Sequence, residues 1–333
     1  MNTVIVAPSG ESYAQVREDA GLVDRSDRLR MRFSGAQAAA TLAGLCTSDV
    51  LALQPGHGQF AAALTPKGKV LADLRVFYLA TDTFLVDVPA SAAPGFATMV
   101  RKYVNPRFAK YADVSGELAC LGVAGPHARQ VVAHALSCSP ATFDLLPAFA
   151  GTTVPFAGDS VFVVRAVDYG VDGFDCFVPA SNGAALRAAL AEAGAPPAEP
   201  AVLETLRIEA GRPAWGVDMT DETLTQEALL DTLDAISYTK GCYTGQEVVA
   251  RLHFRGHVNK LLRGLRLGAA PDDGARVFAG DADVGDVRSR AVSPRLGVIA
   301  LGMVRREVAP GTAITVRWEH GEVAGSLVEL PFP

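Results

Sequence analysis

Cys242 lies in the run Lys240-Gly241-Cys242-Tyr243-Thr244-Gly245-Gln246-Glu247-Val248-Val249-Ala250-Arg251, whose residue types and spacing could activate a thiol. Gly241 frees the backbone for a sharp turn, and Thr244 and Glu247 have the spacing of a capping box, in which each side chain satisfies an orphan amide of the other's turn. The spacing predicts a short helix beginning just after Thr244, with Cys242 just ahead of its N-cap. There the partial positive charge of the helix and the ammonium of Lys240 both favour the thiolate, the reactive form. The same residues also have a plainer reading. Glu247 caps the helix, Arg251 is its i+4 ion-pair partner, and Cys242 is one of the small buried hydrophobes that free cysteines usually are.

Two carboxylates are the next candidates. Asp73 interrupts an otherwise apolar strand in which Leu71, Asp73, Arg75 and Phe77 share a face, and the simplest account is an Asp73–Arg75 ion pair at the surface. A partly buried carboxylate there could also move a proton or bind a ligand. Glu209 closes a helix that also carries Glu204 and Arg207, where a solvated helix end is the simplest account. Residues 240–266 hold Lys240, Arg251, Arg255, Lys260, Arg263 and Arg266 against Glu247 alone, an asymmetry that suits an anionic ligand, an acidic partner or a solvated face. His253 and His257 have a metal-like spacing, but Gly256 interrupts them and no third ligand is near, so no zinc site is expected. Neither a G-x-S-x-G elbow nor a G-x-G-x-x-G turn occurs, which removes any basis for an elbow hydrolase or a nicotinamide enzyme.

The elements that position these residues follow from periodicity and turn chemistry. A helix over 11–20, a strand Leu29–Phe33, Ser34-Gly35 and a helix over 36–45 are matched by Leu118–Val123, Gly125-Pro126 and a helix over 127–136, which suggests a pseudo-repeated α+β domain. Between them Gln59–Leu64, Val70–Leu79 and Phe84–Val88 read as strands, followed by a helix over about 92–103. Val161–Val167 and Gly173–Val178 read as a hairpin, 182–193 and 201–210 as helices, with Gly211 and Pro213 ending the last. After Asn259 six short strands separated by Gly- and Pro-rich turns indicate a compact β-barrel. The resulting division is 1–50 plus 114–255 as a first α+β domain, 51–113 as an inserted α+β domain, and 256–333 as the barrel.

At 333 residues, 49% hydrophobic and 20% charged, the chain is long enough for several cored domains, and its net charge of -6 argues against a nucleic-acid coat. No apolar run reaches membrane-spanning length, and Met1–Pro8 does not read as a signal peptide, so no membrane partner and a cytoplasmic location are expected. Five cysteines without a CxxC pair make a disulfide scaffold or a local metal knuckle unexpected.

The run KGCYTGQEVVAR, continuing into Leu252-His253-Phe254-Arg255-Gly256, resembles the signature of the YgfZ family, folate-binding proteins that are structural relatives of the glycine-cleavage T-protein, a tetrahydrofolate-dependent aminomethyltransferase. Ala20–Ser26, Pro66–Leu74 and Leu206–Gly211 resemble further family segments, so the likeness covers nearly the whole chain. It implies two α+β (ferredoxin-like) domains and a C-terminal β-barrel around a central opening that binds tetrahydrofolate. It also implies that Glu209 accepts the paired N–H groups of the pterin and that Asp73 lies beside the folate nitrogens, where the T-protein aspartate assists aminomethyl transfer. Lys240 falls near a basic folate contact, Arg251 belongs to the same basic run, and Cys242 would face the opening. The implied role is support of iron–sulfur enzyme assembly or repair, with iron–sulfur enzymes or cluster assembly proteins as partners, and the alternative is aminomethyl transfer itself.

Overall fold

Two five-stranded sheets of one topology face each other, next to a closed six-stranded barrel; the computed structural model describes residue 5 and residues 7–333. The described chain enters through a helix, α1 (Gly10–Ala14), which Ser9 caps by accepting from the Ser12 amide and which runs on as a π-helical turn over Gln15–Asp19. The strand β1 (Gly21–Asp24) follows. Then β2 (Leu29–Ser34), α2 (Ala38–Leu45), β3 (Gly58–Leu64), β4 (Val70–Ala80), β5 (Thr83–Val88), α3 (Ala93–Tyr103) and β6 (Lys110–Asp113) make one unit, with strand order β3-β4-β5-β2-β6. A second unit repeats it: β7 (Leu118–Ala124), α4 (Ala128–Ala135), β8 (Gly151–Phe156), β9 (Asp159–Arg165), β10 (Gly173–Pro179) and α5 (Gly183–Glu192), with strand order β8-β9-β10-β7-β1. In both units a glycine at positive φ turns the first strand into its helix, Gly35 at 116° and Gly125 at 137°, and a Cβ at 125 would come within 2.2 Å of the Asp19 carbonyl oxygen.

Each sheet buries its outer face under its own helices, through Phe33, Leu74 and Phe96 in one unit and Val132, Phe174 and Leu186 in the other. The inner faces meet through Phe77, Leu85, Cys120, Val164 and Phe177, with the Phe77 and Phe177 rings 5.6 Å apart in an edge-on contact. Every residue of β4 from Ala72 to Phe77 is therefore buried, the even positions under helices and the odd ones between the sheets.

The helix α6 (Pro200–Glu209) ends at Gly211, φ 66°, and docks on the barrel through Ile208. The irregular chain from 214 to 245 and α7 (Gln246–Arg255) pack Met219, Leu230, Tyr243 and Val249 against Ala62, Leu64 and Val70. Backbone bonds join it to both neighbours: Val70 N donates to Thr223 O at 2.9 Å and Leu262 N to Glu227 O at 2.8 Å. The barrel comprises β11 (Lys260–Leu267), β12 (Arg276–Ala279), β13 (Ala282–Ser293), β14 (Gly297–Arg305), β15 (Ala313–Trp318) and β16 (Gly321–Val328), and β16 pairs back on β11 so that no edge is left. No described helix is long and apolar enough to cross a membrane.

The α+β units, the barrel and most elements agree with the sequence reading. Three strands do not appear there: β1, β6 and β8. Each is the last strand of its sheet: β6 and β8 have one ladder neighbour and little burial, β1 has only four residues, and Pro155 inside β8 is tolerated because an edge strand can lack a ladder donor. The strand–glycine–helix repeat relates the two sheets, instead of lying within one domain. Accordingly β2 and α2 share sheet and core with β3, β4 and β5, although the division by sequence put them with 114–255.

Candidate functional site

Asp73 projects from β4 into the space between the sheets, on the strand register opposite Ala62. The expected surface pair with Arg75 does not form. Arg75 is buried and spends its donors on Asp87, at 2.6 and 2.9 Å, and on Asp175, at 2.5 Å. Around it Arg25 bonds Asp168 at 2.7 Å and Asp175 at 3.0 Å, Arg28 bonds Asp87 at 2.7 Å, and Arg30 lies 3.5 Å from Asp87. Burial alone would raise the Asp87 carboxyl, but Arg28, Arg75 and Arg30 hold it well below its usual range. Asp168 is likewise held at about 2 by Arg25, then Arg75, Arg212 and Arg28, against the cost of burial.

Asp73 is the carboxylate these arginines leave over. Its Oδ1 is buried with no hydrogen-bond partner, and burial, only partly opposed by the charge of Arg28, pushes its pKa up to about 6. It opens on a cavity of about 210 Å³ lined by Asp73, Arg28, Phe60, Tyr169, Arg212 and Trp215 among others. An unpartnered carboxylate oxygen facing aromatic rings and guanidiniums fits a reduced pterin, which brings N–H donors, a flat ring and an acidic tail. Of these wall residues the sequence reading had singled out Asp73 alone. Trp215, one of two tryptophans, and the charged turns Asp168-Tyr169-Gly170 and Gly211-Arg212-Pro213 were the available signals.

Glu209 is not a solvated helix end. At 4% exposure it accepts from the Tyr13 hydroxyl at 2.8 and 3.0 Å and from Ser293 Oγ at 2.5 Å, with Arg295 3.7 Å away. Burial, then Glu209 itself, raises the Tyr13 phenol above its ordinary value. Glu209 lines a second cavity, of about 260 Å³, together with Arg17, Tyr169, Arg212 and Arg295. The two carboxylates thus occupy adjoining cavities, and Glu209 already has partners where Asp73 Oδ1 has none.

The Cys242 segment lies elsewhere. Helix α7 starts with Gly245 as N-cap at φ 82°, no side chain caps it, and the Thr244–Glu247 box is not made. The reason is a close approach: a Cβ at 245 would stand 2.6 Å from Thr65 O and 3.1 Å from the Gly68 Cα, so this turn is pressed glycine to glycine against the β3–β4 hairpin. Glu247 and Arg251 are both exposed and form no ion pair with each other, and Arg251 lines neither cavity. Lys240 points inward and donates to the carbonyls of Ala43, Cys46 and Ser48 at 2.5, 2.7 and 3.0 Å, closing the end of α2. Burial lowers its pKa. Cys242 is exposed, whereas burial pushes the thiols of Cys46, Cys120 and Cys176 up, and it too lines neither cavity. His253 stacks on Tyr238 at 3.6 Å.

Comparisons with known proteins agree with this architecture. Residues 3–237 match the GCVT N-terminal domain family and residues 260–332 the glycine cleavage T-protein C-terminal barrel domain. An aminomethyltransferase of Saccharopolyspora erythraea is 33% identical over 326 residues, covering 95% of this chain and 88% of that protein. One from Cupriavidus metallidurans is 32% identical over 341 residues, covering 97% and 88%. In fold, the chain is similar to the glycine cleavage system aminomethyltransferase T of Bartonella henselae, with a TM-score of 0.85 at 23% identity over 97% of this chain and 89% of that one. With residues 3–237 and 260–332 matching the two T-protein domains in order, the chain belongs to the glycine cleavage T-protein family, whose aminomethyltransferases use tetrahydrofolate.

Proposed function

We propose that this chain is a tetrahydrofolate-dependent one-carbon transferase whose reaction is aminomethyl transfer. The observation that carries the reading is the unpartnered, buried Oδ1 of Asp73 at the wall of an aromatic and arginine-lined cavity. The aminomethyltransferase names of its relatives support it. Tetrahydrofolate would supply the nitrogens that take up the carbon. Asp73, with a pKa of about 6, sits near neutrality, where a carboxyl can both take and return a proton, and Oδ1 is free to hold an N–H of the ligand. Phe60 and Trp215 offer ring faces and exclude water, and Arg28 keeps Asp73 from rising further. The test is to mix the protein with tetrahydrofolate and an aminomethyl-loaded lipoyl carrier protein. Stoichiometric release of ammonia with methylene-tetrahydrofolate is expected from the wild type and far more slowly from Asp73→Asn; no product from the wild type removes the proposal.

A second reading, a folate-binding protein of the YgfZ type that supports iron–sulfur enzymes, draws on a different observation. Cys242 is exposed on the KGCYTGQE turn, which is fixed against the Pro66-Lys67-Gly68 hairpin and away from both cavities. Exposure outside both cavities supports contact of this thiol with a macromolecular partner rather than with the folate. Under this reading Cys242→Ser abolishes support of iron–sulfur enzyme activity in cells while tetrahydrofolate affinity, measured by calorimetry, is unchanged; full support by the serine variant excludes the thiol role.

A further inference from the structure

Tyr169 and Arg212 line both the cavity of Asp73 and the cavity of Glu209. Beside them, Asp168 and Pro213 line the first cavity and not the second, and Val167, Gly170 and Ala210 the second and not the first. Two loops therefore border both cavities, so close together that a Cβ at Gly170 would stand 3.1 Å from the Ala210 Cβ. Each shared residue has a glycine at positive φ beside it, Gly170 and Gly211, both at 66°.

Few polar contacts hold either side chain, although the Tyr169 ring packs against the apolar cluster of Tyr13, Val16, Val202 and Leu206. Arg212 donates one long hydrogen bond, 3.4 Å to Val167 O, and has no ion pair within 4 Å among the described residues. The Tyr169 ring rests under the Arg25 guanidinium, 5.0 Å from its centroid, and its hydroxyl makes no hydrogen bond among the described residues. By contrast the walls around them are fixed by the paired network of Arg25, Arg75, Asp168 and Asp175.

The folate reading asks Asp73 and Glu209 to touch one ligand, and this inference rests on that reading. At about 210 and 260 Å³ neither cavity alone reaches the roughly 300–1,000 Å³ typical of sites for ligands of that size, whereas the two joined do. We propose that Tyr169 and Arg212 form a movable partition, and that tetrahydrofolate binds by turning both side chains aside so that a single ligand lies along the two cavities. Rotation of each side chain about its own bonds, with backbone adjustment at the neighbouring glycine, opens the passage without disturbing the sheets. Binding is then gated: the observed association rate is limited by opening once the ligand is in excess.

Trp215 lines the first cavity and reports directly, with Trp318 of the barrel replaced by Phe to leave one signal. In stopped flow with tetrahydrofolate the observed rate should level off as concentration rises. Tyr169→Ala should raise that plateau about tenfold or abolish it, and Tyr169→Phe, which keeps the ring, should not. Arg212→Gln should raise it too, and it serves as the measured variant if circular dichroism shows that Tyr169→Ala is unfolded. A linear dependence in the wild type, or equal plateaus in wild type and the two opening variants, overturns the partition alone. Calorimetry that finds no tetrahydrofolate binding to the wild type overturns the partition and the folate reading together.

Discussion

The walls around Asp73 and Glu209 put the same functional group to opposite uses. Glu209 is surrounded by donors matched to it, so its carboxylate helps to hold α1, α6 and the barrel together. Asp73 lies among more arginines than carboxylates, yet those arginines are taken by Asp87, Asp168 and Asp175, and its own Oδ1 is left bare. A polar group that is buried and unmatched costs stability, and a fold retains it where a ligand completes it. The difference teaches that burial of a carboxylate says little by itself; which donors remain unspent around it distinguishes a structural group from a reactive one.

Removing the Asp73 charge should break the contrast most visibly. Asp73→Asn should slow transfer by about 10²–10⁴-fold in a single-turnover assay, the usual span for a lost proton-transfer group. Stability should move the other way. The folded pKa of about 6 lies above the ordinary 3.8, so the folded state binds the extra proton; stability is full below pH 4 and is lost as pH rises through 6. At pH 8 the ionised carboxylate costs up to about 3 kcal/mol, and Asp73→Asn should recover part of it, with no gain at pH 4, as read by urea denaturation at both pH values. A variant less stable than wild type at pH 8 would mean that Asp73 has partners in solution.

Glu209→Ala should do the reverse, losing about 2–4 kcal/mol of stability because the Tyr13 hydroxyl and Ser293 lose their acceptor, and weakening tetrahydrofolate by about 1–3 kcal/mol in calorimetry. Unchanged stability would put Glu209 in the same class as Asp73. Lys240→Met, which frees three carbonyls at the end of α2, should cost about 1–2 kcal/mol and leave folate affinity untouched. A large affinity loss instead would return Lys240 to the ligand. Cys242→Ser should be the smallest change, within about 0.5 kcal/mol, and Cys242 should be the first of the five cysteines alkylated near neutral pH. Faster labelling of Cys46 or Cys120 would contradict their burial.

Strong periodicity made the long elements legible: β4, α3 and the barrel strands carry enough apolar residues at one period to be read without neighbours. Edge strands β6 and β8 were not, because their pattern is written by one neighbour only, and β1 was not, because four residues show no period. At the site, Asp73 and Glu209 were legible as charges in segments with a family resemblance, whereas Tyr169, Arg212 and Arg28 come from turns whose charge is a local signal that does not place them at a common cavity. The capping box failed because Thr244-x-x-Glu247 is a local rule, and a distant hairpin required the N-cap to be Gly245 in left-handed geometry.

What the sequence determined by itself is the kind and order of the parts: two α+β units and a barrel, an acid on a mostly apolar strand, and a thiol on a glycine turn. Those follow from neighbours in the chain, through period, turn chemistry and charge. Only the tertiary structure decided which charges are spent. Arg75 lies two residues from Asp73 on one strand, yet it is claimed by Asp87 on the next strand and by Asp175 on the opposite sheet. Pairing of that kind is set by distance in space and by the loss of water between packed sheets, and neither is encoded in local spacing.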